Sequence, residues 1–328
     1  MGASYRSFNY ALRPGKATER KMLVDAFRML HPFCPVDQYE YIGFGSTSFV
    51  DFRLIHKDLG ITKLHSIEKD SSSKARFEFN KPFSCLKVAY GNSGVELPKL
   101  PWNGPSIVWL DYEGGLTNMV LVDLATFAKK AQLGSVLVVT MNVEQLGSPG
   151  AKADEDAGDD ARGDEVKALQ EVVGTNQVPQ DIRKGAFRGW GKADVYARII
   201  NAQLSSYIQD ANELDEVRPK STYCEQFVYF HYEDNAMMAT IGWVLRDKRK
   251  ESRAVSTFLS SMDFYVPKGK PAFKIEPPVF THKELLHLET QVPLTRKGIK
   301  MAGIPDSDLQ QYAKIYKYYP AYVEAEIR

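Results

Sequence analysis

Short apolar segments alternate with amphipathic segments along the first 145 residues of the chain. The apolar segments have the length of strands, and the segments between them place apolar residues on one face of a helix. The expected strands are a segment that ends at Ile42, followed by Leu64–Ile67, Leu86–Tyr90, Ser106–Leu110 and Val136–Thr140. Helices are expected over 14–30, 48–59, 71–80 and 116–131, with Gly60 ending the second. Apolar strands separated by helices predict a parallel sheet covered on both faces.

The pattern changes after Asn142. Residues 151–165 contain seven acidic and two basic residues, a composition that favours a mobile excursion over a packed element. A helix is expected from Lys192 to about Ala211, followed by two aromatic and β-branched segments over 226–232 and 237–245 that predict an antiparallel hairpin. The expected fold class is α/β, with a Rossmann-like seven-stranded sheet of five parallel strands and a C-terminal antiparallel hairpin.

These elements divide the chain into three parts. Residues 1–37 are expected to form an N-terminal helical cap, and residues 38–248 a Rossmann-like domain that contains a mobile acidic insertion, 146–190. Residues 249–328 form a C-terminal extension, whose last helical segment, from about Asp306 to Glu326, contains five tyrosines. A tyrosine-rich helix is typical of a packing surface, so a homodimer through the C-terminal extension is one expectation.

A glycine turn follows the first predicted strand. Gly43 and Gly45 frame Phe44 and precede Ser46, and the second strand ends on Glu68. Strand, glycine turn, helix, strand and terminal acid are the order of a nucleotide-binding βαβ unit. Its glycines allow close approach of a ligand, and its acid binds ribose hydroxyls. The segment therefore predicts a nucleotide-like ligand at this edge of the sheet.

Composition and charge narrow the function classes. With 44% hydrophobic residues among 328, the chain can bury a large core, and a formal net charge of +1 gives no general signal for nucleic-acid binding. The three cysteines, Cys34, Cys85 and Cys224, form no CxxC pair and are typical of a reducing compartment. No apolar run reaches the roughly 18 residues of a membrane span. We therefore expect a cytoplasmic protein that is not bound to a membrane.

Several motifs resemble those of class I S-adenosylmethionine-dependent methyltransferases, whose sheet ends in an antiparallel strand pair. Gly43-Phe44-Gly45 is similar to the first motif of that class, Glu68 to its ribose-binding acid, and Asp111 to the acid that closes its fourth strand. Four stretches are also similar to a family of bacterial O-methyltransferases: Leu12–Pro14 with Lys16 and Glu19–Lys21, Tyr41–Ser46, Ile107–Tyr112, and Gly134–Ser135 leading into Val139–Asn142. The resemblance implies methyl transfer from S-adenosylmethionine to an oxygen, or less readily a nitrogen, of a small or nucleotide-like acceptor.

The resemblance also implies roles for individual residues. The expected cofactor-binding residues are Gly43, Phe44, Gly45, Ser46, Glu68, Lys69, Gly91, Asn92 and Asp111. The expected catalytic residues are Asp111, Tyr112 and Glu113, because an acid at the end of an apolar strand is costly unless it is used or paired. Methyl transfer requires alignment of the nucleophile with the methyl group, and in some cases the removal of a proton.

Acceptor binding is expected on the N-terminal helix and at the end of the fifth strand. Arg13, Lys16 and Arg20 share one helical face, where they could bind a phosphate or carboxylate of the acceptor. The same stripe could instead be solvated or form ion pairs, and the sequence leaves both possibilities open. Asn142, which follows the fifth strand, is the other residue expected to contact the acceptor.

Three alternatives to this interpretation are a non-catalytic binding module, a nicotinamide-dependent oxidoreductase and a metal-dependent methyltransferase. Tyr41 stands where the class has an acid, which leaves room for a non-catalytic module that binds a nucleotide or a partner protein. A nicotinamide-dependent oxidoreductase shares the topology, but the hairpin and Thr47 in place of a third glycine argue against it. Asp111 with Asn142 resembles the oxygen ligands of metal-dependent catechol-type methyltransferases. Met141 replaces a further acid there, and we predict no metal.

Overall fold

The structure, a computed structural model, describes residues 13–144, 161–182, 185–250, 259–293 and 298–320. The expected mobile segment over 146–160 lies outside these residues, as do residues 321–328 of the tyrosine-rich segment. In the described part of the chain, no helix combines the length and the apolar character that crossing a membrane requires.

The described residues form nine α-helices and eight strands. The helices are α1 (Pro14–Arg28), α2 (Val50–Leu59), α3 (Lys74–Asn80), α4 (Ser93–Glu96), α5 (Asn118–Lys130), α6 (Ala161–Val173), α7 (Gly191–Leu214), α8 (His282–Glu289) and α9 (Asp306–Ile315). The strands are β1 (Glu40–Phe44), β2 (Lys63–Glu68), β3 (Leu86–Tyr90), β4 (Ser106–Asp111), β5 (Val136–Asn142), β6 (Thr222–Glu233), β7 (Met237–Asp247) and β8 (Phe273–Ile275).

These eight strands form one sheet in the order β3-β2-β1-β4-β5-β7-β6-β8. The first five strands are parallel, and β7 runs antiparallel to both β5 and β6. The predicted α/β class, with five parallel strands and a C-terminal antiparallel hairpin, is confirmed. The strand order reverses between β1 and β4, and in open parallel sheets the crevice at such a reversal binds ligands.

The sheet has one strand more than the seven expected. Phe273–Ile275, in the C-terminal extension, form β8 and pair with β6 in parallel. A strand of three residues between Pro271 and Pro277 is too short to show alternation, and its proline-rich flanks argue against a strand in the sequence. The C-terminal extension therefore continues the sheet at this edge.

Helices cover both faces of the sheet. One face packs mainly against α5, α6 and α7, through buried residues such as Leu124 and Leu204. The other face packs against α1, α2 and α3, through buried residues such as Phe27 and Phe52. The N-terminal helix therefore lies on the same face as the helix that follows the glycine turn.

Local sequence signals set the ends of several elements. Pro14 occupies the first turn of α1, and Gly60 ends α2 in the left-handed conformation, with φ of 71°. Glycine adopts this conformation without steric penalty, so the predicted helix end is confirmed. Strands β4 and β5 continue slightly beyond their predicted ends, to Asp111 and Asn142. Both polar residues are therefore part of the sheet edge.

Part of the acidic insertion is a packed helix. Within α6, Leu169 and Val173 are buried in the core on the face covered by α5 and α7. The expectation of a mobile excursion over the whole of 146–190 is wrong for this part. Two apolar residues four positions apart are enough to pack one side of a polar helix. The average composition of the segment is acidic and does not reveal this spacing.

The tyrosine-rich segment of the chain packs within this molecule. Helix α9 ends at Ile315, well before the expected end near Glu326, and a single 3-10 turn follows it. Tyr312 is buried, and the Tyr318 hydroxyl donates a hydrogen bond to the Asp25 carboxylate on α1 at 2.8 Å. The Tyr318 hydrogen bond joins the C-terminal extension to the N-terminal helix.

Candidate functional site

The carboxyl ends of β1, β2 and β4 meet where the strand order reverses. Gly43 and Phe44 end β1, and Gly45 begins the turn into α2. A β-carbon on Gly45 would lie 2.4 Å from Glu68 Oε1 and 2.6 Å from Ser66 Oγ, so a larger residue would displace Glu68. A turn of this kind allows a ligand to approach the main chain closely.

Glu68, at the end of β2, is 6% exposed. Its carboxylate accepts a hydrogen bond from the Ser66 hydroxyl at 2.9 Å and another from the Gly45 backbone N–H. Burial raises the pKa of Glu68 to about 7; these hydrogen bonds oppose the rise, and the charges of Asp70 and Glu113 add to it. The groups that act on Glu68 are thus neutral donors and other acids, and hydroxyl donors from a ligand would stabilise its charge.

The other predicted cofactor residues lie close to Glu68 in the chain or in space. The Gly91 N–H donates to the Glu68 backbone carbonyl at 2.9 Å, and Asn92 is exposed just before α4. Lys69 is exposed directly after β2, and Ser46 is half-buried in the turn after β1. The loops after three neighbouring strands therefore surround the glycine turn.

A buried acid lies behind the loops that follow β3 and β4. The carboxylate of Asp123, on α5, accepts hydrogen bonds from the Ser93 hydroxyl at 2.5 Å and the Tyr112 hydroxyl at 2.6 Å. Burial raises the pKa of Asp123, and burial together with Asp123 raises the pKa of Tyr112 well above its usual value. The Tyr112 ring contacts Phe44 edge-on, with ring centres 5.1 Å apart. Tyr112 is therefore held as a neutral donor.

Asp111, at the end of β4, pairs with a buried lysine. Lys16 Nζ lies 2.9 Å from Asp111 Oδ2 and 2.8 Å from Glu19 Oε2. The side chains of Lys16 and Glu19 are 3% and 0% exposed, whereas that of Asp111 is 25% exposed. Burial acts to lower the pKa of Lys16, but the charges of Asp111 and Glu19 raise it above its usual value. Lys16 is therefore a charged internal partner of Asp111.

The basic face of α1 is turned towards the protein. Arg20 Nε donates to Asp51 Oδ1 at 2.5 Å, and the Arg20 side chain is 6% exposed. At the start of α1, the N–H groups of Gly15 and Lys16 donate to the two carboxylate oxygens of Asp234, each at 2.8 Å. The sequence left acceptor binding and ion pairing open for Lys16 and Arg20. Both side chains form ion pairs, because a buried charge requires a partner of opposite sign.

Three further predicted residues lie around this edge. Asn142 donates its N–H to the Gly114 carbonyl at 3.0 Å and accepts a hydrogen bond from the Glu144 N–H at 2.8 Å, so it joins the loops after β4 and β5. Glu113 is exposed, and Arg13 is half-buried just before α1. Within the described residues, no group of three or more His, Cys, Asp or Glu side chains could hold a metal ion.

Three residues that complete the site were not singled out from the sequence: Ser66, Asp123 and Asp234. Ser66 had a signal, because alternate residues of a strand share a face and Ser66 precedes Glu68 by two positions. The roles of Asp123 and Asp234 depend on tertiary contacts, such as the pairing of Asp234 with Gly15 across 219 positions of the chain. No local pattern marks such residues.

A family model matches the sequence over residues 8–327, and the family is described as "Putative O-methyltransferase". The match includes the N-terminal helix, the whole sheet and the C-terminal extension. A comparison with curated proteins gave no match.

Solved structures resemble the chain at low identity. LepI, in a complex with SAH and a substrate analogue, is 10% identical with a TM-score of 0.33, over 63% of this chain and 43% of LepI. An O-methyltransferase from Bacillus cereus with SAH is 12% identical with a TM-score of 0.35, over 74% and 86% of the two chains. TomG from Streptomyces achromogenes, an O-methyltransferase with SAM, is 13% identical with a TM-score of 0.33, over 74% and 93%. The chain spans less than half the length of LepI, and likeness at this level carries no argument about function.

Proposed function

We propose that this chain transfers a methyl group from S-adenosylmethionine to an oxygen of a small or nucleotide-like acceptor. The premise is that the chain belongs to the O-methyltransferase family whose model matches residues 8–327. The observation that carries the proposal is the pair of carboxylates, Glu68 and Asp111, on either side of the glycine turn. Strand β1 lies between them, so two strand spacings, about 10 Å, separate their strands. This separation suits a ligand with a ribose at one end and an amino acid at the other.

The residues around the glycine turn fit S-adenosylmethionine as the methyl donor. Gly45 carries no side chain at a point where a β-carbon would meet Glu68, and the hydrogen-bond donors to the buried Glu68 within the described parts of the chain are neutral. A ribose diol has two hydroxyl donors that the Glu68 carboxylate can accept. S-adenosylmethionine, when bound, supplies an activated methyl group on a positively charged sulfur. The loops after β1, β3 and β4 would then exclude water and hold the acceptor in line with that methyl group.

Among the predicted catalytic residues, Glu113 is the best placed to accept a proton from the acceptor. The Tyr112 hydroxyl is engaged with Asp123, and its raised pKa keeps it protonated. One oxygen of Asp111 is bound to Lys16. Glu113 is exposed at the same edge and is close enough to raise the pKa of Glu68 by its charge. We therefore propose Glu113 as the general base and Asp111 as a binding residue.

Calorimetry with S-adenosylmethionine, S-adenosylhomocysteine and NAD⁺ tests this function. We expect S-adenosylhomocysteine to bind and NAD⁺ not to bind, and Glu68→Gln to weaken the binding by about 10-fold or more, as for a lost charge-assisted hydrogen bond. Asp247→Asn, which changes an acid at the opposite edge of the sheet, is the control. Binding of NAD⁺ would favour the oxidoreductase, and binding of neither ligand would favour the non-catalytic module.

The assembly and location of the protein remain predictions from the sequence. Val279 and Leu286 of the C-terminal extension are large exposed hydrophobic residues, which supports a homodimer through this part of the chain. Light scattering of the full chain would measure its mass, and a monomer at all concentrations would contradict the dimer. The cytoplasmic location rests on composition and awaits fractionation of cells that make the protein.

A further inference from the structure

A buried hydrogen-bonded chain leads from the sheet to the N-terminal helix. The indole N–H of Trp109 donates to the Thr140 hydroxyl at 3.1 Å, and the Thr140 and Thr240 hydroxyl oxygens are 2.8 Å apart. Thr240 donates in turn to Glu19. Because the indole can only donate and Thr240 gives its proton to Glu19, Thr140 donates to Thr240. The chain therefore ends at Glu19 as an acceptor.

This arrangement brings charged groups together around Lys16. Glu19 accepts a hydrogen bond from Thr240 and forms an ion pair with Lys16, and both contacts act against the rise in its pKa that burial causes. The single ammonium group of Lys16 lies between two carboxylates, those of Glu19 and Asp111. With both carboxylates ionised, the group carries one net negative charge, and Asp111 is its only member with substantial exposure, at 25%.

The Lys16 side chain is enclosed by aromatic rings and points into the protein interior. Its Nζ lies 4.7 Å from the centre of the Trp109 ring and 5.7 Å from that of the Tyr232 ring. Its backbone N–H is bound by Asp234, which anchors the start of α1 to the turn between β6 and β7. A lysine fixed in this way acts on a ligand only through the residue that it positions, which is Asp111.

We propose that Lys16 is a positioning residue for the cofactor, which orients Asp111 so that its exposed side meets the α-ammonium group of S-adenosylmethionine. The inference rests on the proposed function, because a ribose bound at Glu68 places the amino-acid end of the ligand across β1, at the end of β4. The residual negative charge of the group matches the positive charge of an ammonium group. Lys16, expected from the sequence to bind the acceptor, thus contributes to binding of the methyl donor.

Two ligands that need no acceptor test this proposal. S-adenosylhomocysteine carries the amino acid, and 5′-methylthioadenosine carries the same nucleoside and sulfur without it. Calorimetry should show that Lys16→Met lowers the affinity for S-adenosylhomocysteine by about 10-fold, as expected for a disturbed charge-assisted contact, while 5′-methylthioadenosine binds within about 3-fold of wild type. Lys16→Arg should keep most of the preference for S-adenosylhomocysteine, because it retains the charge.

Two further variants separate positioning from folding. Arg246→Met removes another buried cation, paired with Glu225 at the opposite edge of the sheet, and should lower the melting temperature without changing the ratio of the two affinities. Asp111→Asn, at a more exposed position, should lower that ratio even if Lys16→Met fails to fold. An unchanged ratio in Lys16→Met and Asp111→Asn, or an equal loss of both ligands, would overturn the proposal. If the wild-type protein binds neither ligand, the proposed function itself fails.

Discussion

The two acids beside the glycine turn, Glu68 and Asp111, differ in how the protein treats their charge. Both end parallel strands next to β1, and both lie on the sheet face covered by α1 and α2. Glu68 is surrounded by neutral donors and other acids, and its pKa is raised to about 7, chiefly by burial. Asp111 is paired with the ammonium group of Lys16 at 2.9 Å. The charge of Asp111 is partly balanced by a lysine that Asp111 shares with Glu19, whereas that of Glu68 awaits a ligand.

This difference shows that a strand-end acid can be prepared for binding in two ways. A buried acid without a cation is unstable when ionised and gains most from donors that a ligand brings. An acid paired with a buried lysine is already oriented, and a ligand then meets a fixed charge at little cost in reorganisation. Changes made at one carboxylate and not at the other should therefore have different effects on stability and binding.

The largest expected effect is the pH dependence of stability caused by Glu68. Its pKa rises from 4.5 to about 7 on folding, so its contribution is fully present below pH 4.5 and is lost as the pH rises to about 7. Urea unfolding without ligand should show wild type losing about 3 kcal/mol relative to Glu68→Gln across this window. Parallel stability curves for the two proteins would contradict the raised pKa.

The next effect in size concerns the space beside Glu68. A β-carbon in Gly45→Ala would lie 2.4 Å from Glu68 Oε1, and the displaced carboxylate should cost about 100-fold in affinity for S-adenosylhomocysteine. Gly104→Ala is a matched control, because no atom lies within 4 Å of its β-carbon. Calorimetry on both variants measures the difference, and equal affinities would show that Glu68 does not bind the ligand.

Ligand binding should also depend on pH through Glu68. If the ionised carboxylate accepts the ribose hydroxyls, affinity for S-adenosylhomocysteine should increase with pH up to about 7 and then level off. Below pH 7, the affinity for S-adenosylhomocysteine should fall by about 10-fold for each pH unit. Glu68→Gln should bind weakly at every pH. A pH dependence that persists in this variant would assign the titration to another group.

The smallest expected effect lies on the Asp111 side, at the anchor of α1. Asp234→Ala leaves two N–H groups at the start of the helix without their carboxylate acceptor, which should cost about 1 kcal/mol of stability. Thermal unfolding measures this loss. Asn235→Ala, in the same turn, is the control and should be close to neutral. A loss larger than that from Lys16→Met would mean that Asp234 contributes more than the Lys16 pair to holding the helix in place.

Much of the sheet could be predicted because its signals are local. The apolar runs gave β3 at its correct ends, and Gly60 marked the end of α2. The three-residue strand β8 and the helix α6 escaped prediction for a different reason. Their stability comes from packing against residues far away in the chain, which neither alternation nor average composition of a segment records.

For the candidate site, the sequence determined which polar residues stand at the ends of strands, because the period of a strand and its terminal residue are local properties. It therefore identified the glycine turn, Glu68 and Asp111. Only the tertiary structure decided which acid has a partner, since Lys16 reaches Asp111 when α1 packs across the sheet. The same packing turned the basic face of α1 inward and, among the residues that the structure describes, placed no cation beside the buried Glu68. The energy of a charge depends on neighbours that the fold alone assembles.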